Sequence, residues 1–102
     1  MTDLPADALR VVATLPVQPE HVAAARTALA ALAAVSLAQD EGCLQYDAFE
    51  SGTVPGTLVT VEAWTTQAAM DAHMSAPHVA EAFTVVGPLL AGDVAIHTLS
   101  PL

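Results

Sequence analysis

Positively charged side chains are scarce in this 102-residue chain. Arg10 and Arg26 are its only fixed cations against 11 acidic residues, and the formal net charge is −9. Proteins that bind nucleic acid rely on clusters of Lys and Arg to neutralise phosphates. Attraction to an anionic membrane surface needs the same residues. We therefore expect neither nucleic acid nor a membrane as a partner.

Cysteine and the common cofactor motifs are also scarce or missing. Cys43 is the only cysteine, which excludes an internal disulfide and a Cys-based metal framework. The sequence contains no HExxH or CxxC metal motif, and no GxGxxG or P-loop for a nucleotide. His73 and His78 are separated by a predicted helix break and do not form a familiar ligand pattern. We expect no metal and no bound cofactor.

The chain lacks a long uninterrupted apolar run. Its most apolar stretch, residues 22–38, is rich in Ala and is interrupted by Arg26, Thr27 and Ser36. This pattern is typical of an amphipathic helix rather than a transmembrane one. The first ten residues, MTDLPADALR, have neither the basic start nor the apolar segment of a signal peptide. We therefore expect a cytoplasmic protein.

Apolar residues are abundant, at 54% of the chain. A chain of this length forms one domain with a small core. The apolar fraction is high for a small monomer, so we expect part of the apolar surface to be covered by a second subunit. Residues 1–7 are expected to form a flexible acidic lead-in, and residues 8–102 a single domain.

The spacing of apolar residues predicts four strands and two helical regions. Strands are predicted at 9–17, 43–50, 57–65 and 93–99. Helices are predicted from 19 to about 40, and from 67 to 86 with a break near 75–77. The order β-α-β-β-α-β predicts an α+β, ferredoxin-like split βαβ fold with a four-stranded antiparallel sheet. Helices would cover one sheet face, and the bare face would pack on the sheet of a homodimer partner.

A predicted hairpin places several rare polar residues together. The turn SGTVPG implies that the numbers of paired residues sum to about 108. Tyr46 then lies opposite Glu62, and Leu44 lies opposite Trp64, all on one sheet face. The helix that follows carries an apolar stripe made of Met70, His73 and Met74. This stripe must fold back onto the same sheet face. A Tyr, a Glu, a Trp and a His can therefore surround one apolar cavity.

Each of these residues also has a purely structural interpretation. Trp64 can fill the core or an interface, and Tyr46 can pack its ring while its hydroxyl makes a hydrogen bond. His73 can be a satisfied core histidine. A carboxylate such as Glu62 between apolar residues needs a partner if it is buried. His78 begins a helix and is expected at the surface or at the mouth of the cavity.

The strings EGCLQYDAF and VTVEAWTTQAAMDAHMSAPH resemble the antibiotic biosynthesis monooxygenase family. The family pattern is an acidic-Gly-Cys-x-x-Tyr strand, a Glu-x-Trp strand end, and a helix with Ala and His before Ser-x-x-His. The matching residues here are Glu41, Gly42, Cys43, Tyr46, Glu62, Trp64, Ala69, His73, Ser75 and His78. The segment VVATLPVQPEHVAAARTALAAL also looks like the first strand and helix of the family, so the resemblance covers nearly the whole chain.

This resemblance implies a dimeric α/β barrel and a cofactor-independent monooxygenase. Such an enzyme oxidises a small quinol, phenol or polyketide-like aromatic with O2, because the deprotonated substrate can itself pass an electron to O2. The protein supplies a dry pocket, a base and orientation. The resemblance implies catalytic roles for His73, as the base or as a hydrogen-bond partner to a substrate oxygen, and for Glu62, which orients a neighbour. The implied substrate-binding residues are Tyr46, Trp64, Met70, His78 and Phe83.

The resemblance also argues against some of the reactions that members of the family catalyse. Haem-degrading relatives have an Asn on the first strand and a Trp and a His on the second helical segment. This chain has no Asn on that strand and has His73 and Phe83 at the helical positions, which argues against haem breakdown. The Arg that some polyketide oxygenases place near the pocket is missing too. Two other functions stay open on the same scaffold: a non-catalytic small-molecule-binding barrel, and an acid/base isomerase that uses His73 and Glu62.

Overall fold

The computed structural model describes residues 4–102, which form one sheet and three helices. The strands are β1 (Leu9–Pro16), β2 (Cys43–Glu50), β3 (Thr57–Trp64) and β4 (Ala95–Leu99). The helices are α1 (Val22–Gln39), α2 (Gln67–Met74) and α3 (Pro77–Val86), with short 3-10 turns at Pro19–His21 and Gly87–Leu89. Of the predicted lead-in, residues 1–3 lie outside the described part of the chain, and a turn at residues 6–7 leads into β1.

The four strands form an antiparallel sheet in the order β2-β3-β1-β4. The predicted α+β, ferredoxin-like arrangement is therefore confirmed. The last strand begins at Ala95 and not at Asp93, and β1 ends at Pro16. Val17 continues beyond β1 only as an isolated bridge to Leu90.

One face of the sheet forms the core under α1 and α3. Alternate residues of β1 point to this face, and Ala13 and Leu15 are buried there. The buried residues of α1 recur at helical spacing: Ala25, Leu29, Leu32, Ala33 and Ser36. Burying a large aliphatic side chain contributes about 1.5–3 kcal/mol, so these contacts fix the helices on the sheet.

The segment Pro19–Gln39 is long and apolar enough to cross a membrane by length and composition alone. The structure shows what its apolar residues contact. Leu29 and Leu32 belong to the cluster that also contains Leu15 and Leu58 of the sheet. The segment therefore packs as the core helix of a globular domain.

The register of the β2–β3 hairpin agrees with the prediction at one end and differs at the other. Tyr46 pairs with Glu62, as expected. Trp64, however, pairs with Cys43 and not with Leu44, so the predicted pairing of Leu44 with Trp64 is wrong. The register shifts between Cys43 and Gln45, where a bulge inserts one extra residue. Cys43 consequently packs against the cluster that contains Tyr46 and Trp64.

Gly42 closes this end of the hairpin in a conformation that suits only glycine. Its φ of +80° lies in the left-handed region. Its carbonyl accepts a hydrogen bond from the Thr65 backbone N–H at 2.8 Å. A Cβ at this position would lie 2.5 Å from Thr65 Oγ1 and 2.7 Å from Ala69 Cβ. The chain can therefore approach the start of α2 this closely only without a side chain.

The opposite face of the sheet is not covered by any helix of the described chain. Pairing partners and strand alternation assign the following residues to it: Arg10, Val12, Thr14, Gln45, Asp47, Phe49, Val59, Val61, Ala63, Ala95, His97 and Leu99. Phe49 and Leu99 are 55% and 44% exposed. The face thus carries large apolar side chains that contact water in a single copy of the chain.

The substitution Gly42→Ala should destabilise the fold by about 1–3 kcal/mol, because it combines backbone strain with a steric clash. Chemical denaturation measures the difference. Gly52→Ala is the matched control, since that glycine lacks a left-handed φ and a Cβ there would meet nothing within 4 Å. Equal stability of the two variants would contradict this account of the hairpin end.

Candidate functional site

A single carboxylate oxygen joins two histidines from different helices. Oδ2 of Asp40 lies 2.6 Å from Nδ1 of His73 and 2.9 Å from Nε2 of His78. The side chain of His73 is 2% exposed, that of Asp40 12% and that of His78 20%. The cluster therefore extends from the core at His73 toward the surface at His78.

Local sequence explains why these residues converge. Asp40 is the C-terminal cap of α1, and its backbone N–H bonds to the Ser36 carbonyl. The hydroxyl of Thr66 caps α2 by accepting the Ala69 N–H. Pro77 then starts α3 at a position where its missing N–H costs nothing. The break between α2 and α3 brings His78 back beside His73.

Asp40 is ionised at neutral pH. Burial by itself would raise the pKa of this carboxyl, but the hydrogen bonds and charges of His73 and His78 together outweigh burial and lower the pKa below its ordinary value. An ionised carboxylate only accepts hydrogen bonds. Nδ1 of His73 and Nε2 of His78 must therefore both donate. In neutral His73 this leaves Nε2 with a free lone pair, so the ring can act as a base.

Aromatic rings hold the imidazole of His73 in place. Its centroid lies 4.7 Å from the Trp64 ring and 5.4 Å from the Tyr46 ring. Tyr46 and Trp64 meet edge to face, with centroids 6.3 Å apart and planes at 86°. His73 is therefore confined by two tilted aromatic rings and by Asp40 at Nδ1.

Glu62 is buried and bonded through both oxygens. Oε2 accepts a hydrogen bond from the Thr60 hydroxyl at 2.7 Å, and Oε1 accepts one from the Trp64 indole N–H at 3.0 Å. The buried carboxylate thus has the partners that its burial requires. Its bond to Trp64 also fixes the indole that packs on His73.

Tyr46 and Cys43 keep their protons at neutral pH. Burial, followed by the negative charge of Glu62, raises the pKa of Tyr46 above its ordinary value. Burial, followed by the charges of Asp40 and Glu62, raises the pKa of the Cys43 thiol to about 11. Tyr46 can therefore donate a hydrogen bond, while Cys43 lacks the thiolate that a nucleophile needs.

A small cavity lies between the sheet and the helices. Its volume is about 30 Å³. The polar residues in its wall are Tyr46, Thr60, Glu62 and His73, and the apolar ones are Ala13, Leu15, Leu29, Leu32, Met70, Met74, Val79, Phe83, Val94 and Ile96. Mostly apolar walls with a few converging polar groups are typical of small-molecule sites.

A larger groove of about 420 Å³ lies on the outer side of this cavity. The groove and the cavity share the walls Met74, Val79, Phe83, Val94 and Ile96. Met74 is 43% exposed and Ile96 45% exposed. The shared side chains therefore separate the interior around His73 from an open groove between α3 and β4.

The structure brings together most of the residues that the sequence singled out. His73, Glu62, Tyr46, Met70 and Phe83 line the cavity. Trp64 does not line it and lies behind, completely buried against His73. His78 is also outside the cavity wall and bonds to Asp40.

Sequence reasoning missed the roles of Asp40 and Thr60. Asp40 could be read only as the end of α1, because Gly42 marks a helix terminus. One signal was available, since an acidic residue at the negative end of a helix dipole is unfavourable unless something offsets it. Thr60 lies two residues before Glu62 on β3 and therefore points to the same sheet face. A threonine in a strand needs no functional explanation, however.

Comparisons with known proteins agree with the fold and with the resemblance. The family model described as antibiotic biosynthesis monooxygenase matches residues 8–85. A Mycobacterium tuberculosis protein named "Putative monooxygenase Rv0793" is 36% identical over 92 residues, which is 90% of this chain and 89% of that protein.

Solved structures give the same result. The structure of Rv0793 superposes with a TM-score of 0.83 at 32% identity, covering 94% of this chain and 96% of that one. The structure of a "putative antibiotic biosynthesis monooxygenase" from Caulobacter crescentus CB15 has a TM-score of 0.87 at 32% identity, covering 93% and 90%. A Nitrosomonas europaea structure, at 18% identity and a TM-score of 0.88 over 99% of this chain and 96% of that one, shows the fold alone.

Proposed function

The chain belongs to the antibiotic biosynthesis monooxygenase family, and from that premise we propose that it oxidises a small electron-rich aromatic with O2 without a cofactor. Family membership supports a monooxygenase-like function in general. The proposed substrate class is a quinol or phenol, because the site provides a base, an apolar cavity and aromatic walls. A cytoplasmic location is part of the proposal.

The hydrogen bond between Asp40 and His73 is the observation that carries this proposal. Because the ionised Asp40 can only accept at this 2.6 Å contact, it favours the tautomer of neutral His73 in which Nε2 is unprotonated. His73 also lines the cavity. A carboxylate that fixes the tautomer of a histidine and stabilises its protonated form is the arrangement that other enzymes use for general base catalysis.

The proposed reaction begins when Nε2 of His73 takes a proton from a substrate hydroxyl. The resulting phenolate gives one electron to O2, and the superoxide and substrate radical combine to form a carbon–oxygen bond. Loss of water from this hydroperoxide leaves one oxygen atom on the substrate. For a hydroquinone the products are a hydroxyquinone and water, and the substrate supplies all four electrons that O2 accepts.

The substrate would occupy the cavity together with the adjoining groove. Small-molecule sites are commonly about 300–1,000 Å³, so the interior cavity of about 30 Å³ has room for only part of an aromatic ring. Movement of Phe83 and Met74, which separate the two spaces, would join them. Tyr46, which keeps its proton, would donate a hydrogen bond to a substrate oxygen.

We also propose that two copies of the chain pack through their bare sheet faces. The face carries Phe49 and Leu99, which are 55% and 44% exposed, together with valines at Val12, Val59 and Val61. Exposed apolar faces of this kind are typical of subunit interfaces. Face-to-face packing of two sheets would bury these side chains at a separation of about 10 Å.

Substituting Asp40→Asn should lower the rate of O2 consumption with a quinol by about 10²–10⁴-fold. Asn offers an N–H where Asp40 offers only acceptors, so it can donate to Nδ1 of His73. This stabilises the tautomer with the ring proton on Nε2, the nitrogen that should accept the substrate proton. An oxygen electrode and a panel of quinols measure the effect. His73→Gln should show a loss at least as large, whereas His21→Gln, on an exposed side chain, should not.

Full activity of Asp40→Asn would contradict the assigned roles. Turnover of the same substrates under argon would instead favour the acid/base isomerase, which needs no oxygen. Thermal stabilisation by a ligand without turnover in air would favour the binding barrel.

Sedimentation equilibrium tests the proposed interface. At micromolar concentration we expect a species of twice the 10.4 kDa chain mass. Replacing Phe49 by Glu should shift the population toward the monomer, because the substitution buries an unpaired charge in the interface. Replacing the equally accessible Val54, in the turn between β2 and β3, by Glu is the control. A wild-type species near 10.4 kDa would exclude the dimer.

A further inference from the structure

We infer that Asp40, His73 and His78 form a binding site for a divalent transition-metal cation of the zinc class. One oxygen and two imidazole nitrogens, one from each residue, lie within 4.8 Å of one another. Nothing in the sequence pattern indicates this site, because the three ligands come from the end of α1, the last turn of α2 and the first turn of α3.

The ligand set has the chemistry that zinc prefers. Zn²⁺ commonly binds imidazole nitrogen and carboxylate oxygen at about 2.0–2.2 Å, in tetrahedral geometry. Tetrahedral ligand atoms at that radius are about 3.3 Å apart. Oδ2 of Asp40 lies 2.6 and 2.9 Å from the two ring nitrogens, and all three ligand atoms lie within 4.8 Å of one another. To admit the ion, the carboxylate must move away from the rings and the two ring nitrogens must approach each other.

The electrostatic surroundings favour a cation. Asp40 supplies a carboxylate, the hard oxygen ligand of the set, and its side chain is only 12% exposed. The two fixed cations of the chain lie elsewhere. A guanidinium nitrogen of Arg26 is 3.7 Å from a carboxylate oxygen of Glu50, and Arg10 is on the bare face of the sheet. No Lys or Arg side chain therefore competes for the carboxylate.

Three protein ligands leave one coordination position open, as in catalytic zinc sites. His78 is the most exposed ligand, at 20%, and gives the ion a route from solvent. Binding moves one proton on each ring, from Nδ1 to Nε2 in His73 and from Nε2 to Nδ1 in His78, so the neutral rings release none. The three residues therefore either bind the metal or form the hydrogen-bonded cluster, but cannot do both at once.

The metal should act as an inhibitor of the reaction proposed above, and this part of the inference rests on that proposed function. A cation on Nδ1 of His73 leaves the ring proton on Nε2. The ring nitrogen that should accept the substrate proton then carries one already. Zinc occupancy and general base catalysis by His73 thus exclude each other.

Calorimetric titration of the untagged, chelator-treated protein with ZnCl2 tests the site without reference to activity. We expect one Zn²⁺ per chain, and affinities weakened about tenfold or more in both His78→Gln and Asp40→Asn. His21→Gln should bind as the wild type does, because it removes an exposed histidine outside the cluster. No binding to the wild type, or equal affinity in all variants, would overturn the site.

Cobalt gives a second measurement that needs no variant. Co²⁺ in a tetrahedral nitrogen and oxygen environment has intense visible absorption, whereas hydrated Co²⁺ is only weakly coloured. We expect the intense bands on adding one equivalent of CoCl2 to the wild type and their loss on adding ZnCl2. A spectrum identical to that of hydrated Co²⁺ would overturn the site even if one of the variants fails to fold.

The inhibitory role has its own readout. Zinc should abolish quinol-dependent O2 consumption by the wild type and by His21→Gln at the concentration that saturates the calorimetric site. Binding without inhibition would refute the regulatory role and leave the metal site standing. If no quinol supports turnover, the proposed function fails while the calorimetric and cobalt results still decide the metal site.

Discussion

The hydrogen bond from Nδ1 of His73 to the ionised Oδ2 of Asp40 is the interaction on which the rest of the site depends. It makes a nearly inaccessible imidazole compatible with the core, because a buried polar ring needs a partner. It also sets which nitrogen carries the proton. Without Asp40, the same ring between Tyr46 and Trp64 would be a packing element with no defined chemistry.

The fold supplies this interaction through the places where its helices end. The C-terminal end of α1 places Asp40, and the break between α2 and α3 places His73 and His78 on either side of it. The close approach at Gly42 brings the start of β2 against the start of α2. The sheet contributes a second hydrogen bond, from the indole N–H of Trp64 to Glu62, which holds the indole behind the imidazole. Two carboxylates thus position one histidine, one directly and one through an indole.

Local periodicity was enough to predict the fold and part of the site. The strands, the break between α2 and α3 and the pairing of Tyr46 with Glu62 follow from alternation, helical spacing and turn composition. The bulge at Leu44 was not predictable in this way, since the turn composition implies one register for the whole hairpin and the shift occurs at its far end. The role of Asp40 was hidden for a similar reason, because its partners lie 33 and 38 residues further along the chain.

The tautomer of His73 is the most direct test of this account. Long-range ¹H–¹⁵N correlation spectra of the metal-free protein, with ¹⁵N-labelled histidine at neutral pH, report which ring nitrogen carries a proton. We expect His73 to be protonated at Nδ1 and unprotonated at Nε2, and we expect Asp40→Asn to remove this preference. A wild-type spectrum with the proton on Nε2 and a bare Nδ1 would contradict it.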